Sequence, residues 1–159
     1  IYGAIYAERH FDKIFCSSFA ELGLRYISIC FQGTLMRHSP QFLNLVAIAQ
    51  KVVREISCQE VENALSKGTM DFLLIDVREE SEWNEGHLPG ACHLGKGIIE
   101  RDIEVQCSDQ NKKIVLYCGG GFRSALAGES LQKMGYKNLY SMAGGVREWK
   151  EKKYPITRS

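Results

Sequence analysis

Two short apolar runs, at residues 72–77 and 114–117, alternate with segments of helical pattern along this chain. Runs of this length and composition are typical of strands buried on both faces. A third strand is predicted at 138–141. Strands that alternate with helices pair in parallel, because each return to the same edge of the sheet needs a crossover connection. The sequence therefore predicts an α/β fold with a mostly parallel central sheet flanked by helices.

Helix boundaries carry local signals of their own. Ser39-Pro40 precedes an apolar helical pattern at 42–53, as a cap and a first-turn proline would. Ser57 and Glu60 form a capping-box pattern before a second helix that Gly68 ends. Further helices are predicted at 98–105, at 122–134 before a glycine, and after the glycine pair at 144–145 through Trp149.

The N-terminal part of the chain does not share this pattern. Residues 1–35 show mixed, unperiodic apolar content and are interpreted as an N-terminal extension, with Met36 as a candidate natural start. An extra helix packed on the domain is the alternative. Residues 36–56 are assigned to an N-terminal helical region and residues 57–156 to the main domain.

Composition excludes several broad classes of function. The 159 residues carry a net charge of +1, which gives no bulk attraction to nucleic acid or to an anionic membrane. The apolar stretches at 26–31 and 42–49 are too short to span a bilayer. None of the six cysteines forms a C-x-x-C pair or a zinc-ligand pattern with histidine. We therefore expect a cytoplasmic protein with reduced thiols, no metal, and neither nucleic-acid nor membrane partners.

The segment 118–124, Cys-Gly-Gly-Gly-Phe-Arg-Ser, joins a buried strand to a helix. Ligand sites of open α/β sheets lie at the carboxyl ends of strands, where this segment stands. The glycines Gly119, Gly120 and Gly121 allow the backbone to turn several N–H groups inward, and such a ring of amides binds negative charge. Cys118 at its rim should ionise more readily than a free thiol and act as a nucleophile without a histidine base.

A thiolate surrounded by amide donors is suited to attack a sulfane sulfur. The anionic persulfide that results would be held by the same donors, from Gly119 through Phe122 and Arg123. The guanidinium of Arg123 adds a fixed positive charge for an anionic donor such as a thiosulfonate. Taken alone, the segment is equally compatible with a phosphate-binding turn in which Cys118 only fills space.

Four motifs in the right order resemble the rhodanese family. They are Leu-Ile-Asp-Val-Arg-Glu at 74–79 with Glu82-Trp83, Gly-His-Leu-Pro-Gly-Ala at 86–91, the segment 117–125, and Gly135-Tyr136 with Gly144-Gly145 and Trp149. The resemblance covers about one rhodanese domain. It implies a three-layer fold, sulfurtransferase chemistry without cofactor, and Cys118 as the sulfur-carrying residue. Partners would be a small sulfur donor and an acceptor: cyanide, a thiol or a protein.

The family resemblance also sorts the remaining candidates. Asp76 and Arg78 match positions that are usually structural. His87 stands in a predicted turn and is interpreted as a structural histidine, because no second histidine or carboxylate partner makes it a catalytic base. The segment lacks the lysine with which some relatives bind thiosulfate, which puts thiosulfate in doubt as the physiological donor. Lys96 and Arg101 are candidates for the pocket wall in its place, or else two solvated surface charges.

Three alternatives remain open from the sequence. Cys92 and Cys107 could resolve a persulfide on Cys118 into a disulfide. A cysteine-dependent phosphatase or arsenate reductase would use a similar loop, but with five residues between cysteine and arginine where this chain has four. A non-catalytic rhodanese-like binding module is the other rival, although such modules typically have lost the cysteine.

Overall fold

The computed structural model describes residues 38–158, and in them a single parallel sheet organises the chain. Its strands are β1 (Arg54–Ile56), β2 (Leu73–Asp76), β3 (Cys92–His93), β4 (Ile114–Tyr117) and β5 (Leu139–Met142). They lie in the order β1-β5-β4-β2-β3, and every neighbouring pair is parallel. The predicted α/β architecture with a parallel sheet is confirmed.

Six helices of the described residues flank this sheet. They are α1 (Pro40–Val52), α2 (Cys58–Ser66), α3 (Glu80–Asn84), α4 (Ile99–Gln106), α5 (Phe122–Lys133) and α6 (Gly145–Glu151). The predicted caps are present: the Ser39 hydroxyl accepts a hydrogen bond from the N–H of Phe42, and Ser57 and Glu60 form a reciprocal capping box at the start of α2. Local sequence chemistry therefore decides where these two helices begin.

Three short elements were absent from the sequence prediction. In β1 only Ile56 is buried, and β3 consists of two half-buried residues. The five residues of α3 bury no side chain. None of these segments is long enough or buried enough to produce a periodic apolar pattern.

Alternate residues of β4 separate two layers of core. Ile114 and Leu116 pack with residues of α4 and α5 on one face, whereas Val115 and Tyr117 pack with residues of α2 and α6 on the other. This is the alternation expected of a strand buried on both faces. On the first side, α1 packs against the outer face of α5 through Val46 and Ala49.

The order of the strands determines which loops meet. Because β4 lies between β2 and β5, the loops that follow these three strands emerge side by side at the carboxyl edge. The loop after β4 begins at Cys118, the connection after β2 leads into α3, and the loop after β5 leads into α6. Three separate stretches of sequence thus converge on one site.

The predictions for the extension 1–35 and for Met36 lie outside the described residues. Within 38–158, no helix is both long and apolar enough to cross a bilayer.

Candidate active site

Cys118 directly follows the central strand β4 and is 1% exposed. Its Sγ accepts a hydrogen bond from the N–H of Gly121 at 3.1 Å, and the hydroxyl oxygen of Ser124 lies 3.6 Å from it. The sulfur atom therefore faces the inside of the glycine loop and the start of α5. Donors aimed at sulfur stabilise its anionic form.

The loop keeps several further N–H groups free. Gly121 adopts a left-handed conformation, with φ of +94°, and is the residue from which α5 starts. In residues 38–158 no acceptor is found for the N–H groups of Gly119, Gly120, Phe122 and Arg123. The last two open α5, where the first N–H groups have no partner within the helix. The loop that holds Sγ thus also carries a set of amide donors without a protein acceptor.

Two buried hydroxyls hold the peptide of Gly121. The Oγ atoms of Ser124 and Ser141 lie 2.8 Å apart, and they lie 3.1 and 3.3 Å from the carbonyl oxygen of Gly121. Their contact fixes the loop against β5 while the N–H of the same glycine points to Cys118. Ser141 was not predicted as a site residue, because only the pairing of β4 with β5 brings it to the loop.

The start of α6 is hydrogen-bonded to the same loop. The N–H of Val146 donates to the carbonyl of Cys118 at 2.8 Å, and the N–H of Arg147 donates to that of Gly119 at 3.0 Å. Gly145, directly before these two residues, has φ of +57° and lies so close to the loop that a Cβ atom there would be 2.8 Å from the backbone nitrogen of Gly120. The glycine pair at 144–145 is therefore part of the site's framework.

The sequence predicts that Arg123 offers a free positive charge at the loop, but its guanidinium is paired with a carboxylate. It forms two hydrogen bonds with the carboxylate of Glu82, at 2.6 and 2.8 Å. The hydrogen bond to Glu82 is the main cause that raises the pKa of Arg123, and the same bond lowers the pKa of Glu82. The pair lies beside Gly119. The positive charge of Arg123 is thus compensated by the connection after β2.

A different arginine, Arg147, covers the loop at Gly120. The atoms Nη2, Cζ and Nη1 of its exposed side chain lie 3.5, 3.6 and 3.7 Å from the position that a Cβ on Gly120 would take. Sequence reasoning did not single out Arg147, which is 27 positions beyond Gly120 and reaches it only through the packing of α6 on the loop.

Lys96 and Arg101, the two cations predicted for the pocket wall, have contacts away from the loop. The backbone N–H of Lys96 donates to the carbonyl of Val77, just beyond β2. The Arg101 side chain is mostly exposed and pairs with Asp102 at 2.6 Å. In the described part of the chain neither side chain has a hydrogen bond to the loop, and their place in a pocket wall stays a prediction.

Asp76 and Arg78 form a buried pair at the end of β2. The Asp76 carboxylate accepts from the backbone N–H of Arg78 at 2.9 Å and from its guanidinium at 2.6 to 3.0 Å. The guanidinium also donates to the carbonyl of Gly86. His87, 7% exposed, stacks on Trp83 with ring centroids 3.5 Å apart. These contacts hold the segment that carries Glu82.

The other cysteines of the described region contact backbone carbonyls outside the loop. Cys58 donates to Ala143, and burial raises the pKa of its thiol to about 11. Burial also raises the pKa of Cys92, whose Sγ lies 3.5 Å from the carbonyl of Leu74. The Sγ of Cys107 lies 3.5 Å from the carbonyl of Asp109. A resolving role for Cys92 or Cys107 stays a prediction.

Solved structures of other proteins share this fold. A polysulfide-sulfur transferase homodimer of Wolinella succinogenes superposes with a TM-score of 0.62 at 28% identity, over 75% of this chain and 88% of that one. A protein of Rhodopseudomonas palustris, described as of unknown function and a possible tyrosine phosphatase, superposes with a TM-score of 0.65 at 26% identity, over 79% and 98%.

Sequence comparison gives the family. Thiosulfate sulfurtransferase GlpE of Coxiella burnetii is 31% identical over 80 residues, which are 50% of this chain and 73% of that protein. Another match, 32% identical over 76 residues, spans only 40% of a Bacillus subtilis protein. The family model of the rhodanese-like domain matches residues 57–152, more than half of the chain. The chain therefore belongs to the rhodanese-like domain family.

Proposed function

We propose that the protein transfers sulfane sulfur from an anionic donor to a thiophilic acceptor through a persulfide on Cys118. The observation that carries this proposal is the position of the Cys118 sulfur, which accepts the N–H of Gly121 in a loop with further unpaired amides. A persulfide is itself an anion, and its outer sulfur would extend toward those amides. The names of the curated and structural relatives support sulfur transfer as the reaction class.

The reaction consists of two balanced steps. In the first, the Cys118 thiolate attacks the outer sulfur of thiosulfate, and a new S–S bond forms on Sγ. The S–S bond of thiosulfate breaks, and its electron pair leaves with sulfite. In the second, cyanide or a thiolate attacks the outer sulfur of the persulfide. Thiocyanate or a new persulfide leaves, and the Cys118 thiolate is restored. Neither step needs a metal or an organic cofactor.

Two features disfavour phosphoryl chemistry at this site. Four residues separate Cys118 from Arg123, which makes a smaller ring of amides than the five of the phosphatase pattern. The guanidinium of Arg123 is also directed to Glu82, whereas a phosphatase would need it on the phosphoryl group. A thiol at Cys118 in a loop with unpaired amides also favours catalysis over a purely non-catalytic binding role.

We expect the purified protein to form thiocyanate from thiosulfate and cyanide with ping-pong kinetics. Double-reciprocal plots at several cyanide concentrations should be parallel, because the first product leaves before the second substrate binds. The variant Cys107→Ser removes a half-buried thiol outside the loop and should keep the activity. Absence of thiocyanate with both thiosulfate and polysulfide, together with hydrolysis of p-nitrophenyl phosphate, would favour the phosphatase instead.

A further inference from the structure

The charges around the loop are unevenly balanced. Arg78 is paired with Asp76 and Arg123 with Glu82, so these two guanidinium groups carry compensated charge. A third carboxylate, Glu79, also lies 4.0 Å from Arg123. An anionic donor that approached Cys118 from this side would meet carboxylates as well as arginines.

Arg147 and the Glu82 pair lie against different residues of the loop. That pair is beside Gly119, whereas the guanidinium of Arg147 covers Gly120 at three nearly equal distances of 3.5 to 3.7 Å. Because these three distances are nearly equal, the flat face of the guanidinium covers the Cβ position of Gly120, and the N–H groups at its edge stay available. No carboxylate of residues 38–158 lies within 4.0 Å of this guanidinium.

The backbone fixes where this side chain starts. The N–H of Arg147 donates to the carbonyl of Gly119, so its Cα is tied to the loop that holds the catalytic sulfur. The side chain itself is exposed, and a solute can reach it. A glycine at position 120 has no side chain to displace the guanidinium from the loop.

We infer that Arg147 binds the anionic end of the sulfur donor, the sulfonate oxygens of thiosulfate or of a thiosulfonate, while the outer sulfur meets Cys118. This inference rests on the proposed function and names its donor-binding residue. A guanidinium suits the task because its planar N–H donors match two oxygens of an oxyanion. The same contact holds the sulfite that leaves. Arg147 thus supplies the uncompensated positive charge at the loop, because the charge of Arg123 is compensated by Glu82.

Kinetics of Arg147→Ala test the inference. The KM for thiosulfate should rise about ten-fold, equivalent to about 1.4 kcal/mol of binding, with kcat nearly unchanged. Arg147→Lys should give an intermediate KM, because it keeps the charge and loses the planar fork. Lys150→Ala is the matched control, since Lys150 is an exposed cation of the same helix. It should leave the KM unchanged.

A binding measurement separates this inference from the proposed function. Calorimetric titration of sulfite into Cys118→Ser and into Cys118→Ser with Arg147→Ala needs no turnover. Sulfite should bind the single variant about ten-fold more tightly than the double variant. Equal affinities would overturn the role of Arg147 even if the wild-type protein is an active sulfurtransferase. Two kinetic results would also overturn the role of Arg147. One is a KM for thiosulfate that rises as much in Lys150→Ala as in Arg147→Ala, and the other is an Arg147→Ala variant in which only kcat falls. If the wild-type protein shows no turnover but the two variants differ about ten-fold in sulfite affinity, the proposed sulfur transfer is overturned and the anion-binding role of Arg147 is supported.

Discussion

Replacing Asp76 with asparagine should lower the free energy of unfolding by about 3–5 kcal/mol, the usual loss when one partner of a buried ion pair is removed. Arg78 is 3% exposed and Asp76 fully buried. Burial acts to lower the pKa of Arg78, but its hydrogen bond to Asp76 and the charge of Asp76 outweigh burial, and the pKa is raised. An asparagine would leave this cation buried without a counter-charge.

Urea unfolding of Asp76→Asn checks this expectation, with Asp71→Asn as control. Asp71 pairs with Lys113 at 3.7 Å, and its side chain is 75% exposed. Its replacement should change stability by no more than about 1 kcal/mol, because exposed ion pairs contribute little. Equal losses in the two variants would show that the buried pair does not hold the connection after β2.

Replacing Gly145 with alanine should slow persulfide formation about 100-fold, the effect that a displacement of about 1 Å has on a reacting group. The new Cβ would overlap the carbonyl oxygen of Cys118 and lie 2.8 Å from backbone atoms of Gly119 and Gly120. These are main-chain atoms and cannot turn aside as a flexible side chain would. The loop must therefore move away from α6, and the amides around the sulfur move with it.

The control for this variant is Gly68→Ala. Gly68 also has a positive φ, of +65°, but a Cβ there would meet nothing within 4 Å. It should lose about 1–3 kcal/mol of stability from backbone strain and form the persulfide at the wild-type rate. Single-turnover rates with thiosulfate measure the difference. If both glycine variants react equally fast, the contact between α6 and the loop does not determine the position of the sulfur.

Much of the fold could be predicted because its signals are local. The runs at 72–77 and 114–117 are buried on both faces, and the caps at Ser39 and Ser57 are made within four residues of the chain. The loop at residues 118–124 could be predicted for the same reason, since its cysteine and glycines are consecutive. Elements such as β3, which pairs over only two residues, gave no such signal.

The parts of the site that were missed depend on contacts between distant segments. The pairing of Arg123 with Glu82 joins positions 41 residues apart, and the contact of Ser124 with Ser141 joins positions 17 apart. Each residue alone looks like an ordinary polar side chain. Only the strand order, which places β4 between β2 and β5, brings them together. Charge compensation around the loop could not be predicted without that order.

The intact mass of the protein after incubation with thiosulfate tests the persulfide on Cys118 most directly. The wild-type protein should gain one sulfur atom, and cyanide should remove it. Cys118→Ser should gain none, because its hydroxyl cannot form an S–S bond, whereas Cys107→Ser should gain the atom as the wild type does. A sulfur atom that still appears on Cys118→Ser, or a wild-type protein that gains none from thiosulfate or polysulfide, would contradict the mechanism.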